Sequence, residues 1–151
     1  MSKSFDLKTM IEDSRDVVFF TGAGISTESG IPDFRSPGGI WTKMAPIQFQ
    51  DFLNSEEMRR EYWHRKFATD KTLRIAKPNE GHYAIERLIS SGKASVVITQ
   101  NIDNLHQDSG VPEEKVIELH GNGTFASCLT CGTRYELDNI KQSFLGNHQL
   151  P

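Results

Sequence analysis

Val17-Val18-Phe19-Phe20-Thr21-Gly22-Ala23-Gly24 is the stretch that decides the fold. Four unbroken apolar residues run straight into a glycine turn. A short run of this kind fits a strand buried in a parallel sheet and covered on both faces; a half-exposed strand would alternate. Glycine at the turn lets the backbone approach a pyrophosphate, and a helix N-terminus beyond it offers unpaired N–H groups. The spacing is not the dinucleotide fingerprint G-x-G-x-x-G, because Gly30 follows six residues after Gly24 with Ser26 between. The Lys-Ser/Thr ending of a P-loop is absent too. Taken alone, the loop admits both a nucleotide site and a plain tight turn.

Outward from this stretch the pattern repeats. Ser95-Val96-Val97-Ile98-Thr99 reads as a second buried strand and Val116-Ile117-Glu118-Leu119 as a third, shorter one. Residues 5–14 read as an amphipathic helix with Leu7, Met10 and Ile11 on one side. Residues 55–67 read as another, with Ser55 as N-cap, Glu56 and Glu57 in the first turn, and Met58, Tyr62 and Trp63 on its apolar side. Lys77-Pro78-Asn79-Glu80 punctuates the chain before a helix whose stripe is Tyr83, Ala84, Leu88 and Ile89, ending near Ser91-Gly92. Strands separated by helices predict an α/β fold with a parallel, Rossmann-like sheet. Residues 30–41 hold Pro32, Pro37, Gly38 and Gly39 and predict a long shaped loop. From Asn122 onward the texture changes to a small hairpin-like insertion carrying Cys128 and Cys131.

Length and composition set the class. With 151 residues, 36% hydrophobic and 25% charged, the chain is expected to form one globular domain. A net charge of -3 argues against a nucleic-acid partner. No run of about 18 apolar residues exists, so no membrane-spanning helix is expected. Met1-Ser2-Lys3-Ser4-Phe5-Asp6 has no apolar signal region, which makes the cytoplasm the expected location. The C-x2-C pair suggests zinc or redox chemistry rather than a structural disulfide.

Several polar residues fall where such a sheet binds ligands, outside the carboxyl ends of its strands. Asp33 and Arg35 are suited to ribose and phosphate, or to a surface ion pair of little energetic weight. In Thr99-Gln100-Asn101-Ile102-Asp103-Asn104-Leu105-His106, Asn101 is suited to an amide or hydroxyl of a ligand. Asp103 is suited to a carboxamide nitrogen or a water. His106 reads as a supporting group or a helix-start residue satisfied by the backbone. His120, directly after the third strand, is placed to act as a general base near neutral pH. His64, His82 and His148 read as helix-surface or terminal residues.

Together these segments resemble the sirtuins, the Sir2-like NAD-dependent protein deacylases. Gly22-Ala23-Gly24-Ile25-Ser26-Thr27-Glu28-Ser29-Gly30-Ile31-Pro32-Asp33-Phe34-Arg35 is similar to the family's first NAD motif. Residues 99–106 are similar to the second, and His120-Gly121 to the catalytic His-Gly. Lys77-Pro78-Asn79 and the cysteine pair add support, and the resemblance spans about residues 15–135. It implies a Rossmann-like NAD domain with a small inserted zinc-binding module, here residues 1–121 and the start of the module at 122–151. The implied reaction transfers an acyl group from a lysine side chain of a protein substrate to the ADP-ribose of NAD and releases nicotinamide.

By the same resemblance, His120 is the base that activates a ribose hydroxyl. Asn101, Ile102 and Asp103 shape the nicotinamide pocket, while Gln100 and Ser26 contact ribose or phosphate. Gly22, Ala23, Gly24, Gly30, Asp33, Phe34, Arg35 and Trp41 belong to the cofactor loop, with Phe34 shielding the reacting carbon from water. Tyr62-x-x-Arg65 resembles a pair that some members use for acidic acyl groups. That leaves desuccinylation or demalonylation as an alternative to the favoured deacetylation. Two further classes stay open: a non-enzymatic zinc or oligomerisation module, and a different NAD-consuming enzyme.

The chain departs from the family in what it lacks. A closed zinc site needs four ligands, usually two C-x2-C pairs, and only Cys128 and Cys131 are present. The second pair is expected beyond Pro151, with His148 as an alternative ligand. The later sheet strands, a Gly-Thr-Ser-type NAD loop and the peptide groove are also missing, so self-association through an exposed sheet edge is expected. As a polypeptide of 151 residues the chain is expected to show no substantial deacylase turnover and weak or no NAD binding. A deacylase assay checks this, and turnover near that of a full-length relative would overturn it.

Overall fold

The computed structural model describes residues 6–33 and 45–147, so that Phe34, Arg35, Trp41 and His148 lie outside the described residues. Its centre is a parallel sheet of β1 (Val17–Thr21), β2 (Ala94–Thr99) and β3 (Val116–Glu118), in the order β1-β2-β3. Phe19 pairs with Val97 and Thr21 with Thr99, while Val97 pairs with Val116 and Thr99 with Glu118. The parallel Rossmann-like core expected from the apolar runs is therefore present. β3 stops one residue short of Leu119.

The helices follow from local chemistry. α1 (Leu7–Asp13) is capped by the Asp6 carboxylate, which accepts the Lys8 N–H. After α2 (Phe49–Asn54), α3 (Glu56–Ile75) starts at Ser55, whose hydroxyl accepts the Met58 N–H at 3.2 Å. α3 runs well past residue 67. Buried Asp70 is carried in its interior because Arg74, one turn on, holds it at 2.5 Å. α4 (Glu80–Ser90) is capped by Asn79, whose Oδ1 accepts the Gly81 N–H at 2.9 Å. Its buried stripe is His82, Ile85 and Ile89, offset from the predicted one, and Tyr83 is exposed. α5 (Leu105–Asp108) is a single turn between β2 and β3.

Beyond the sheet, β4 (Phe125–Ser127) and β5 (Arg134–Glu136) form an antiparallel hairpin, as the change of texture predicts. α6 (Leu137–Asn147), which the sequence patterns do not predict, follows at once. It packs on α3: the Phe144 ring meets His64 at 5.1 Å and Phe67 at 5.5 Å, and Arg74 pairs with Asp138 at 2.5 Å.

Among the described residues, the core lies on one face of the sheet. Ile85 and Ile89 of α4 pack on Ala94, Val97 and Val111, with Val17, Phe19, Ile25 and Val116 around them. Burial on both faces was expected, and this is corrected. Val18 is 52% exposed and Phe20 63%, because successive side chains alternate across the strand and no described element covers the second face. α1 leaves Leu7 and Met10 exposed as well. No described helix is long and apolar enough to cross a membrane.

The asymmetry gives a paired prediction. Val97 is fully buried, so Val97→Ala should cost about 2 kcal/mol in urea unfolding. Phe20→Thr, which keeps a strand-favouring residue on the open face, should cost under about 1 kcal/mol.

Candidate functional site

The parallel register places the ends of β1 and β2 side by side. The Thr21 hydroxyl donates to Thr99 Oγ1 at 2.9 Å, and the Asn101 N–H donates to the same oxygen at 3.0 Å. Asn101 is thereby held at the mouth of the sheet, and its amide Nδ2 donates to Gly22 O at 3.1 Å and Ser26 Oγ at 3.2 Å. The Ser26 hydroxyl donates to Asp103 Oδ2 at 2.6 Å, and Asp103 Oδ1 accepts the Leu105 N–H at 3.0 Å. Residues from both predicted motifs therefore meet in one polar cluster at the strand ends, with one carboxylate fixed by a hydroxyl and a backbone N–H.

The glycine segment takes a form the sequence did not predict. Residues Ala23–Ser29 wind as a 3-10 helix rather than an α-helix, with Gly22 at its entry. Gly30 closes it at φ 84°, a left-handed conformation that side chains strain to adopt. A backbone requirement accounts for that glycine without a ligand. Beside Gly24 the space is open, with no atom within 4 Å of where a Cβ would stand. Asp33 is half-buried at the end of the described loop.

His120 follows β3 on the exposed rim. Its Nδ1 lies 2.8 Å from Gln100 O. A carbonyl only accepts, so the neutral ring carries its proton on Nδ1 and leaves Nε2 bare, which is the form a general base needs. His120 and Ile102 line one cleft of about 500 Å³ with Tyr62, Lys66, Gly123 and Phe125.

Of the predicted acyl-binding pair, Tyr62 is on the cleft wall and Arg65 is not among the lining residues. Arg65 bonds Glu61 at 2.6 Å and Ala45 O at 2.8 Å. The cation at the cleft is Lys66, which sequence reasoning missed. It sits one turn after Tyr62, and that spacing was the available signal. Its Nζ donates to Gly123 O at 2.8 Å, and burial pulls the ammonium pKa down. Gly123 was missed as well. A Cβ there would stand 2.6 Å from Ile102 O, so only glycine allows the loops after β2 and β3 to touch.

One histidine reading is corrected, and for the other the structure chooses the supporting role over the backbone-satisfied one. His82 is fully buried, not on the helix surface, and its Nδ1 accepts the Asn79 N–H at 3.3 Å. His106 is also buried, and its ring meets Thr21 Oγ1 at 2.9 Å rather than the backbone. Each turned inward because α4 and α5 present that face to the sheet.

Cys128 and Cys131 lie at the hairpin turn, free and within one loop. Backbone N–H groups of Cys131 and Thr130 lower the Cys128 thiol pKa, which favours the thiolate a metal would take. Among the described residues, however, no group of three or more His, Cys, Asp or Glu is placed to hold a metal ion. Among the described residues, Cys128 and Cys131 therefore do not by themselves make a site for a metal ion.

Burial pushes His106 from 6.5 down to about 4, with His82 adding to the shift and Asp103 opposing it; His82 is lowered by burial as well. The unfolded chain binds these protons first. Stability is therefore fully present above about pH 6.5 and lost as pH falls toward about 4. For His106 alone the loss should approach about 3 kcal/mol. Urea unfolding across this window checks it, with His106→Gln expected to flatten the slope.

The Sir2 family model matches residues 22–150. NAD-dependent protein deacetylase 1 of Bradyrhizobium diazoefficiens is 56% identical over 138 residues, which cover 91% of this chain and 54% of that protein. The NAD-dependent protein deacetylase of Rhodopseudomonas palustris is 51% identical over 145 residues, covering 96% and 57%. Among solved structures, a complex of Sir2, a p53 peptide and NAD+ superposes with a TM-score of 0.78 at 36% identity, covering 97% of this chain and 58% of that one. A mutant Sir2 homologue in complex with ADP-ribose gives 0.76 at 33% identity, covering 87% and 53%. The chain spans a little over half the length of these relatives, and with its glycine segment, polar cluster and rim histidine it belongs to the Sir2 family.

Proposed function

We propose that the protein is an NAD-dependent protein lysine deacetylase, moving the acyl group of an acyl-lysine substrate to ADP-ribose with release of nicotinamide. The observation that carries this reading is one rim holding both a base and a polar cluster suited to a nucleotide. His120 keeps Nε2 bare beside Ile102, and the residues flanking Ile102 are locked to Ser26. The relatives named for NAD-dependent deacetylation and the NAD+ and peptide complex support it.

The donor set fits NAD. Open backbone at Gly24 admits a phosphate, and the Asn101 amide and Asp103 carboxylate suit a carboxamide. Gly22, Ala23, Gly24, Ser26, Gln100, Asn101, Ile102 and Asp103 would hold it, and Gly30, Asp33, Phe34, Arg35 and Trp41 would contribute as the family's cofactor loop implies. Bound NAD supplies a ribose carbon from which nicotinamide departs and a hydroxyl that takes the acyl group. His120 accepts that hydroxyl's proton at Nε2, its ring oriented by the Gln100 carbonyl. Phe34 excludes water from the reacting carbon. Tyr62 lines the acyl side, and Arg65, engaged by Glu61, is not offered to an acidic acyl group; this favours deacetylation over desuccinylation.

We further infer that residues 1–121 are the first part of the NAD-binding domain and that residues 122–151 begin a zinc-binding module, Cys128 and Cys131 contributing two of four ligands. No step of the reaction passes through that metal. The uncovered sheet face and the edges of β1 and β3 support self-association of this polypeptide.

The test joins residues 1–151 to the remaining C-terminal length of the Bradyrhizobium relative. With NAD and an acetyl-lysine peptide, mass spectrometry should find nicotinamide and acyl-ADP-ribose only when peptide is present. His120→Ala should lower product by about 10²- to 10⁴-fold. Free ADP-ribose formed without peptide would identify an NAD hydrolase instead.

A further inference from the structure

Two buried rings have no part in the reaction described above. His82 of α4 and His106 of α5 are 0% and 1% exposed, with ring centroids 5.0 Å apart and planes tilted by 57°. Among the described residues, the buried side-chain polar atoms without a partner are His82 Nε2 and His106 Nδ1. Buried polar atoms rarely stay unpaired, because the water they lost is not replaced.

The neighbours of each ring settle where its proton lies. His82 Nδ1 accepts the Asn79 N–H, so a neutral His82 carries its proton on Nε2. Thr21 has one hydroxyl proton, and it goes to Thr99 Oγ1. At 2.9 Å the remaining contact of Thr21 must then receive a proton from His106 Nε2, which leaves His106 Nδ1 bare. The two orphaned atoms are thus one donor and one acceptor, on adjacent rings that burial keeps neutral.

Both rings also lead back to the same segment. Asn79 Nδ2 donates to Ile25 O at 2.7 Å and Ser29 Oγ at 2.9 Å. From His106 the bonds run through Thr21 and Thr99 to Asn101, and from Asn101 to Ser26. Residues 23–29 are therefore held from two sides by one chain of hydrogen bonds, open at a single junction between the histidines.

We propose that His82 and His106 are positioning residues that close this circuit as a matched pair of neutral tautomers. The Nε2–H of His82 serves the bare Nδ1 of His106 through one buried water, so that the glycine segment and Asn101 are held as one unit. A polar junction with a donor on one side and an acceptor on the other meets the two-partner minimum for an ordered buried water. The consequence for nucleotide binding rests on the function proposed above. The tautomers and the water are read without ligand, so failure of either idea is recognisable separately.

The experiment uses the 151-residue chain at pH 7. Long-range proton–nitrogen spectra should show both rings as Nε2–H tautomers, with an Overhauser peak from a long-lived water to the His82 Nε2 proton. A proton on His106 Nδ1, an imidazolium on either ring, or a direct ring-to-ring bond without water would overturn the proposal. His82→Gln, which keeps an N–H donor, should leave exchange of the Asn101 amide within about twofold of the parent. His82→Phe should speed it about tenfold, with the Val97 and Ile98 amides reporting an intact sheet. Equal Asn101 exchange in the two variants would remove the positioning role. Should His82→Phe not fold, the parent spectra still decide.

Discussion

The bond between the Thr21 and Thr99 hydroxyls is the constraint from which the site is built. It forms only because β1 and β2 are parallel and in a register that sets their last residues side by side. Thr99 then holds the Asn101 backbone, Asn101 reaches Gly22 and Ser26, and Ser26 reaches Asp103. A slip of one residue between the strands would put the two hydroxyls on opposite faces of the sheet. Every polar group of the cluster would then lose its anchor.

The same sheet has a finished face and an unfinished one. α4 supplies the finished face, and its N-cap Asn79 doubles as a tie to the glycine segment, so packing and site geometry share an element. On the other face Val18 and Phe20 carry the apolar character of a doubly covered strand without the cover. In relatives about twice as long, there is enough additional chain to supply such a cover.

Much of the fold was legible because its signals are local. The apolar runs marked the strands, Ser55 marked the start of α3, and the change of texture after Asn122 marked the hairpin. The site was legible in part. Ser26, Asn101 and Asp103 were named from two separated motifs and do meet, and His120 does stand on the rim. α6 was missed because Asn139, Gln142, Gly146 and Asn147 interrupt its few apolar residues and leave a weak periodic signal.

What the sequence by itself determined is the parallel architecture, the order of the motifs and the residue types gathered at the strand ends. Those depend on propensity and pattern within a few neighbouring residues. Tertiary structure alone decided that His82 and His106 face inward, that Lys66 rather than Arg65 reaches the cleft, and that among the described residues nothing covers one sheet face. The contacts behind the side-chain choices join residues far apart in the chain: 85 positions from Thr21 to His106, 57 from Lys66 to Gly123, 54 from Ile25 to Asn79. Burial of a polar side chain is settled by the partner that meets it, and over such separations only the folded chain specifies the partner.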